Sequence, residues 1–398
     1  MRRLAAALLL LAAVLAGCER SRERSIEAFV AAHWADPVLP QGTPPSGYSP
    51  LEASLSPQSC GQCHPVQWQD WRSSLHAKAL GPGLLWQLRL MDQAQANRCL
   101  RCHAPLAEQK ALLAIEHGWR SAPAQPAPGY VDETLAHQGL VCAACHVRQH
   151  RRFGPAPREG AAPASAHGGF TVSPAFADSR FCAACHQFPE DGPRLAGKLH
   201  EDTVAQWQAS AHAPDRPCQA CHMPDRRHLW RGIHDREMTR QAIDVQLQLV
   251  STGAGRFEAH AEVRNTGAGH HFPTYMVPKV ELQFLRVEDS GVELEVGRHV
   301  IGWSVDTAIT REIADTRIPA GASRSFVQAF QAPRQGRWSL ELRLIVRPAE
   351  HYERTFATSL ARADRLPAAA VPLLETALRQ AKAAEYELMR LRRRPPDG

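Results

Sequence analysis

Hydrophobic and polar residues alternate over much of the second half of the chain. The alternation has a period of two and is interrupted by Gly, Asn or Asp, which predicts short antiparallel strands. The runs span residues 243–249, 257–263, 280–284, 292–296, 326–330 and 338–346, the fifth being the weakest. Six or seven such strands predict an immunoglobulin-like β-sandwich over residues 240–350. It would lack a disulfide, because no cysteine lies in this part of the chain.

The hydrophobic spacing becomes helical near the carboxy terminus. Apolar residues recur at Leu374, Leu378, Ala381, Leu388 and Leu391, and Pro372 stands near the start of the run. Proline is favoured in the first turn of a helix. We therefore expect a carboxy-terminal helix over residues 368–394, ending in a basic, solvated tail.

Between residues 57 and 236 long apolar runs are scarce, and cysteine is the distinguishing residue. The chain has 11 Cys, and ten of them form five C-x-x-C pairs, each followed directly by His. The motifs are Cys60-Gly-Gln-Cys63-His64, Cys99-Leu-Arg-Cys102-His103, Cys142-Ala-Ala-Cys145-His146, Cys182-Ala-Ala-Cys185-His186 and Cys218-Gln-Ala-Cys221-His222.

C-x-x-C-H is the attachment sequence of c-type haem. Two thiols bond to two vinyl groups on one edge of the porphyrin, and the following imidazole binds the iron. Zinc sites need no His after each pair, and thioredoxin-like dithiols occur singly. With 20 His in 398 residues, five His after five pairs would arise by chance on the order of once in a few million. We interpret all five motifs as haem sites with proximal His64, His103, His146, His186 and His222.

The spacing of the motifs predicts a cofactor-built domain over residues 57–236. The motifs start 39, 43, 40 and 36 residues apart, which is too little polypeptide to enclose each haem separately. Five covalently attached haem c groups would then form the core and lie close enough to pass electrons. Fifteen His remain as candidates for the sixth iron position, and two His ligands close an iron to substrates.

Two W-x-x-S-x-H-A segments, at residues 71–77 and 207–213, flank the motifs. With the C-x-x-C-H motifs they resemble multihaem cytochromes of the cytochrome c-554 type, over residues 57–234. The resemblance implies distal iron ligands at His76, twelve residues after His64, and at His137, five residues before Cys142. The chain departs from the type protein in having five motifs rather than four, so ligand pairing for the additional haem is left open.

Other histidines are candidates for the remaining positions. His212 lies in the second W-x-x-S-x-H-A segment, and one of His228 and His234 follows the fifth motif as a ligand. The segment 265–274 contains Gly-His-His-Phe-Pro-Thr, which resembles a segment of multihaem cytochromes that carry such a sandwich; this implies a ligand at His270 or His271. His33 is expected to have no role at the haem sites, and His150 to be a solvated loop residue or to contact a propionate. Arg148 and Arg152 are candidates for haem propionates, the alternative being a solvated basic run.

The amino terminus has the features of an export signal. Two Arg precede an apolar run of about 12 residues, which is too short to span a bilayer. The ending Leu15-Ala16-Gly17-Cys18 resembles the lipobox of bacterial lipoproteins, and this implies cleavage after a signal peptide of residues 1–17 and acylation of Cys18. A simple secretory signal is the alternative. Residues 18–56, rich in proline, predict a tether.

The fold class is therefore α+β and multidomain: a mainly helical, loop-rich multihaem domain, then the sandwich, then a helix. We expect a lipid-anchored pentahaem relay between redox partner proteins, on the outer membrane and facing the periplasm or cell surface. The alternative is an oxidoreductase acting on a small nitrogen or sulfur compound at an open haem; a third hypothesis makes the sandwich a binding domain. The net charge of +6 would be offset by ten propionates, so no nucleic-acid partner is expected.

Overall fold

The computed structural model describes residues 21–158 and 168–395. Residues 1–17 and Cys18, the predicted signal peptide and acylation site, lie outside the described residues. The chain forms two compact units, the first from Met1–Gly81, Met91–Cys185 and Pro217–Leu229, the second from Pro82–Leu90, His186–Arg216 and Trp230–Gly398. The division thus differs from the boundary near residue 236 that the sequence predicts, although all five cysteine pairs lie in the first unit.

The first unit consists of short helices joined by long connections. They are α1 (residues 21–33), α2 (Pro50–Ala53), α3 (Pro57–Gly61), α4 (Pro65–Ser73), α6 (Gln93–His103), α7 (Ala107–His117), α8 (Cys142–His146), α9 (Arg180–His186) and α11 (Cys218–His222). Three short strands, β1 (Val147–Arg148), β2 (Arg151–Gly154) and β3 (Thr171–Val172), form one small sheet.

The predicted tether over residues 18–56 is not a tether in the part that the structure describes. Helix α1 carries Ile26, which is 3% exposed and packs in an apolar cluster with Ala175 and Phe181. Its Phe29 and Val30 border the same cluster. The apolar positions of this helix, three to four residues apart, form one buried face that the high proline content further along obscures.

The second unit contains the predicted sandwich. Its strands are β6 (Ile243–Gly253), β7 (Arg256–Asn265), β8 (Lys279–Glu288), β9 (Glu293–Ile301), β12 (Ser323–Gln331), β13 (Trp338–Arg347) and β14 (Tyr386–Arg393). One sheet has the order β12-β7-β6 and the other β14-β13-β8-β9, with every pair antiparallel. Three strands facing four is the arrangement of an immunoglobulin-type sandwich. The α+β class is confirmed.

Side chains alone fill the interior of this sandwich. Leu247 and Val263 from one sheet meet Phe284 and Leu342 from the other in one continuous core, and each is at most 2% exposed. The alternating residues of the predicted strands face inward here, since successive side chains of a strand point to opposite faces. The hydrophobic pattern therefore located this core correctly.

The carboxy-terminal helix is shorter than predicted. Helix α14 spans Val371–Ala383, and the chain then continues as β14, which pairs with β13 as an edge strand. Leu388 is 4% exposed in the sandwich core, and the Tyr386 hydroxyl donates to the Ile233 carbonyl. Hydrogen bonding to a sheet edge and burial of Leu388 outweigh the helical spacing of the leucines.

The remaining elements of the second unit surround the sandwich. They are α5 (Pro82–Leu88), α10 (Thr203–Gln208), α12 (Arg236–Ala242), α13 (Glu350–Leu360), the hairpin of β4 (Arg194–Leu195) and β5 (Lys198–Leu199), and the hairpin of β10 (Trp303–Val305) and β11 (Glu312–Asp315). Trp86 of α5 packs with Phe356 of α13 in a second apolar cluster. Among the described residues no helix has the length and apolar content needed to cross a bilayer.

Candidate haem sites

Four of the five C-x-x-C-H motifs lie within helices. They close α6, α8, α9 and α11, while the first motif begins in α3 and ends at His64, the residue that precedes α4. Residues three and four positions apart share one face of a helix. Each helical motif therefore presents two thiols and one imidazole on the same side, the donor set that a covalently attached haem requires.

Two proximal imidazoles are fixed by backbone carbonyls in the tautomer that binds iron. His103 Nδ1 donates to the Ala79 carbonyl at 2.6 Å, and His146 Nδ1 donates to the Phe153 carbonyl at 2.7 Å. With the proton on Nδ1, the lone pair is on Nε2. Burial lowers the pKa of His146 to about 4 and also lowers the pKa of His103, so both rings are neutral. The residues present thus fit haem ligation.

Thiols of different motifs lie within hydrogen-bonding distance of one another. Cys60 of the first motif meets Cys142 of the third. Cys102 of the second meets Cys185 of the fourth, and Cys182 of the fourth meets Cys218 of the fifth. All ten are free thiols. The motifs are therefore clustered, with the fourth beside both the second and the fifth.

An aromatic cluster joins the third and fourth motifs. The Phe176 ring stacks on the proximal His146 ring with centroids 5.1 Å apart, and Phe176 lies 4.6 Å from Phe181, which directly precedes Cys182. Cys145 borders the same cluster. The third motif is consequently packed against the fourth through apolar rings.

His33 lies inside this aromatic cluster, contrary to the expectation that it has no role at the site. It is 4% exposed, and its Nε2 donates to the carbonyl of Cys145 at 2.8 Å. Burial, with a contribution from Arg148, lowers its pKa to about 3. A neutral ring that donates to a motif backbone stabilises the last turn of α8 rather than sensing pH. No sequence motif indicates this role of His33, which is recognisable only from the burial of α1 in the structure.

His150 is likewise a structural residue rather than a solvated one. It is 1% exposed, and Nε2 lies 3.1 Å from the Gly42 carbonyl. The rings of Tyr48 and Tyr130 meet it edge-on.

His228 lies beside His146, the proximal histidine of the third motif. The two ring centroids are 6.1 Å apart and the ring planes are inclined at 35°. His228 Nδ1 donates to the Arg226 carbonyl at 3.0 Å, so its lone pair is also on Nε2. His234, the alternative, lies in the second unit.

A buried carboxylate holds the His228 backbone. Asp70 of α4 is 5% exposed and accepts hydrogen bonds from Arg227 Nε and Nη2 at 2.7 and 2.6 Å and from the His228 amide at 2.9 Å. The bidentate Arg227 contact, followed by the amide of His228, lowers the pKa of Asp70. Asp225 and Arg226 have positive φ angles of 53° and 59°, which is costly for residues with a Cβ. The contacts of Asp70 therefore stabilise a strained turn, and this turn fixes the position of the His228 backbone.

The other predicted distal ligands occupy different surroundings. The His76 carbonyl accepts from the Leu140 amide at 2.8 Å, just before the third motif. His137 Nε2 pairs with the Glu116 carboxylate. His212 lies in the second unit with the 265–274 segment, where a Cβ on Gly269 would stand 3.3 Å from its side chain.

Within that segment the two histidines differ in their contacts. His270 Nδ1 donates to the His271 carbonyl at 2.9 Å, so its lone pair is on Nε2. The His271 amide donates to Gln206 Oε1 of α10 at 3.0 Å, and its buried Nδ1 has no hydrogen-bond partner among the described residues. Burial lowers the pKa of His271. Both rings are candidate metal ligands, and the choice between them stays open.

Arg148 and Arg152 are cations held by backbone carbonyls. Arg148 donates to the carbonyls of His33 and Ala144 at 2.8 and 2.9 Å, and burial lowers its pKa to about 10. Arg152 donates to the His150 carbonyl at 2.9 Å. Backbone carbonyls carry no full negative charge, so both guanidiniums remain candidates for a propionate contact.

Comparison with known proteins agrees with this site. A family model described as cytochrome c554 and c-prime matches residues 59–121, which include the first two motifs. A penta-heme cytochrome c552 from Thermochromatium tepidum has the same fold, with a TM-score of 0.58 and 18% identity over 86% of this chain and 100% of that one. Another structure, target SoR45 of the Northeast Structural Genomics Consortium, has a TM-score of 0.15 at 10% identity over 26% of this chain and 70% of that one, too low to indicate a shared fold. No curated protein matches.

The five motifs and the family match over residues 59–121 resemble those of multihaem c-type cytochromes, and the structural match shows a shared fold with a penta-heme cytochrome.

Proposed function

We propose that this chain is a pentahaem electron relay, exported and held on a membrane by acylated Cys18, that passes single electrons between redox partner proteins. Haem would bind covalently to Cys60, Cys63, Cys99, Cys102, Cys142, Cys145, Cys182, Cys185, Cys218 and Cys221. Haem supplies a one-electron couple, and the protein sets its ligands and surroundings.

The contact between motifs is the observation that carries the proposal. Thiol contacts join the first motif to the third and the fourth motif to both the second and the fifth. Phe176 and Phe181 bridge the third and fourth motifs. Every motif is thereby connected to the others, and the fourth is the junction. Closely spaced redox centres exchange electrons without any catalytic side chain.

The proximity of two imidazoles supports the relay at the third motif. The rings of His146 and His228 lie 6.1 Å apart, and Asp70 holds the His228 backbone in place. If both rings bound the same iron, that iron would have no position for a substrate, which would favour electron transfer over catalysis.

The test combines spin state with ligand removal. In the full oxidised protein, low-temperature electron paramagnetic resonance should give low-spin signals only. His228→Ala should convert one haem to a high-spin form, whereas His260→Ala, on strand β7 of the sandwich, should leave the spectrum unchanged. High-spin iron in the unaltered protein that shifts with nitrite or hydroxylamine would contradict the relay and favour the oxidoreductase.

Membrane attachment has its own measurement. The full chain should sediment with membranes and carry acyl chains at Cys18, because two or more chains anchor a protein stably. Cys18→Ser should release it into the soluble fraction with its haem spectrum intact. Membrane attachment that persists in this variant would remove the lipid anchor from the proposal.

A further inference from the structure

Two tryptophans make the same hydrogen bond at corresponding places in the chain. Trp71 Nε1 donates to the Leu140 carbonyl at 2.7 Å, and Trp207 Nε1 donates to the Arg216 carbonyl at 2.9 Å. Leu140 and Arg216 each stand two residues before the first cysteine of a haem motif, the third and the fifth respectively. Each indole thus holds the segment that enters a motif.

The same entry residues also hold a histidine. The Leu140 amide donates to the His76 carbonyl at 2.8 Å, and the Arg216 amide donates to the His212 carbonyl at 2.8 Å. Each entry residue therefore accepts from a Trp and donates to the His five positions later. Both bonds fasten one W-x-x-S-x-H segment to one motif.

The serines of these segments complete the arrangement. Ser74 Oγ donates to the Trp71 carbonyl, and Ser210 Oγ donates to the Trp207 carbonyl, both at 2.7 Å. A hydroxyl three residues after the Trp closes the turn that follows the helix and sets the direction of the next two residues. The spacing of Trp, Ser and His in the sequence thus has a structural cause.

The two arrangements arise from different folding contexts. The Trp71 bond spans 69 residues of sequence, whereas the Trp207 bond spans nine. The Trp71 bond is a tertiary contact and the Trp207 bond lies within a local turn, yet both give the same arrangement. Local stiffness of the chain therefore does not explain the arrangement. At the first arrangement Gly139 permits the approach, since a Cβ there would lie 2.4 Å from the His76 carbonyl oxygen.

We infer that Trp71 and Trp207 are positioning residues that hold His76 and His212 in a fixed geometry relative to the segments entering the third and fifth haem motifs. The inference rests on the proposed function, in which these histidines are iron ligands. A backbone carbonyl pinned by two partners limits how far the attached imidazole can move from its metal.

The experiment removes the indole N–H and keeps the ring. Trp71→Phe and Trp207→Phe are made in the full haem-loaded chain, and carbon monoxide uptake by the reduced protein is measured with the spin state of the oxidised protein. A loosened axial ligand exposes iron, so each variant should bind up to about one carbon monoxide per chain. Because the two act at different motifs, the double variant should bind the sum.

The matched control is Trp86→Phe. Trp86 Nε1 has no hydrogen-bond partner in the described part of the chain, and its ring packs in the apolar cluster with Phe356. This variant should keep the carbon monoxide uptake and spin state of the unaltered protein. If Trp71→Phe does not accumulate, Ser74→Ala breaks the same arrangement more mildly and is expected to give a smaller uptake.

The possible outcomes distinguish failure of the positioning role from failure of the proposed electron relay. A lower melting temperature with unchanged uptake and spin state in both Trp variants would overturn the positioning role while the relay stands. If His76→Ala and His212→Ala also leave uptake and spin state unchanged, these histidines are not iron ligands, and the inference fails with that assignment.

Discussion

The two units of this protein have interiors of different chemistry. The sandwich is closed by apolar side chains from both sheets, such as Phe284 and Leu342, which are fully buried. The motif helices α8 and α11 are five residues long, and isolated helices of this length are unstable in water. Their stability must come from tertiary packing and from what the motif thiols bind. The first unit has fully buried side chains of its own, such as Leu100 and Leu113, and the haems proposed for its motifs would add a covalently attached core that the sandwich lacks.

The largest expected effect is a loss of structure in the first unit alone, caused by removing the cysteines of one motif. Cys142→Ala together with Cys145→Ala removes both thioether positions of the third motif, which lies between the first and fourth motifs. Haem content should fall by one per chain, and the first unit should lose protection against hydrogen exchange. Strands β8 and β13 should stay protected, because their core contains no motif residue. Equal loss of protection in both units would contradict the contrast.

The second expected effect is a lower stability of the sandwich with no change in the haem absorption spectrum. Phe284 is 0% exposed at the centre of the core, and Phe→Ala at such sites costs about 3–5 kcal/mol of the free energy of unfolding. Chemical denaturation of the Phe284→Ala variant, followed by intrinsic tryptophan fluorescence, should report that loss. The haem absorption spectrum in native buffer serves as the internal control and should be unchanged.

The smallest effect concerns one ionisable group in the second unit. Burial raises the pKa of Glu201 to about 7, against 4.5 for an ordinary Glu. The folded state holds this proton more tightly than the unfolded state, so its contribution is present below pH 4.5 and is lost as the pH rises through 7. Glu201→Gln should therefore stabilise the protein at pH 8 by at most about 3 kcal/mol and by less at pH 5.

Unfolding of this variant is measured at both pH values against Glu262→Gln, an exposed position of strand β7 in the sandwich. An equally large gain in stability at pH 8 in the control variant would contradict the attribution of the gain to the burial of Glu201.

Much of the fold was predictable because its signals are local. Alternation placed the sandwich strands between residues 243 and 346, and each of the four helical C-x-x-C-H motifs placed its own two thiols and imidazole on one helix face. The hydrophobic pattern gave the wrong prediction where contacts with a distant part of the chain determine the local structure. Residues 386–393 have helical spacing, yet they pair with the edge of β13 as a strand. Helix α1 packs beside Phe181, whereas the sequence predicts a tether there.

The sequence by itself indicated the cofactor chemistry, since covalent attachment and proximal ligation need only residues within one five-residue segment. Tertiary structure alone decided how the motifs neighbour one another, that His228 lies beside His146, and why Trp71 accompanies His76. His228 and His234 are equally plausible along the chain, and the structure places His228 with its ring centroid 6.1 Å from that of His146. A proximal ligand is a property of one helical turn, whereas a distal ligand must arrive from another part of the chain, and packing determines that arrival.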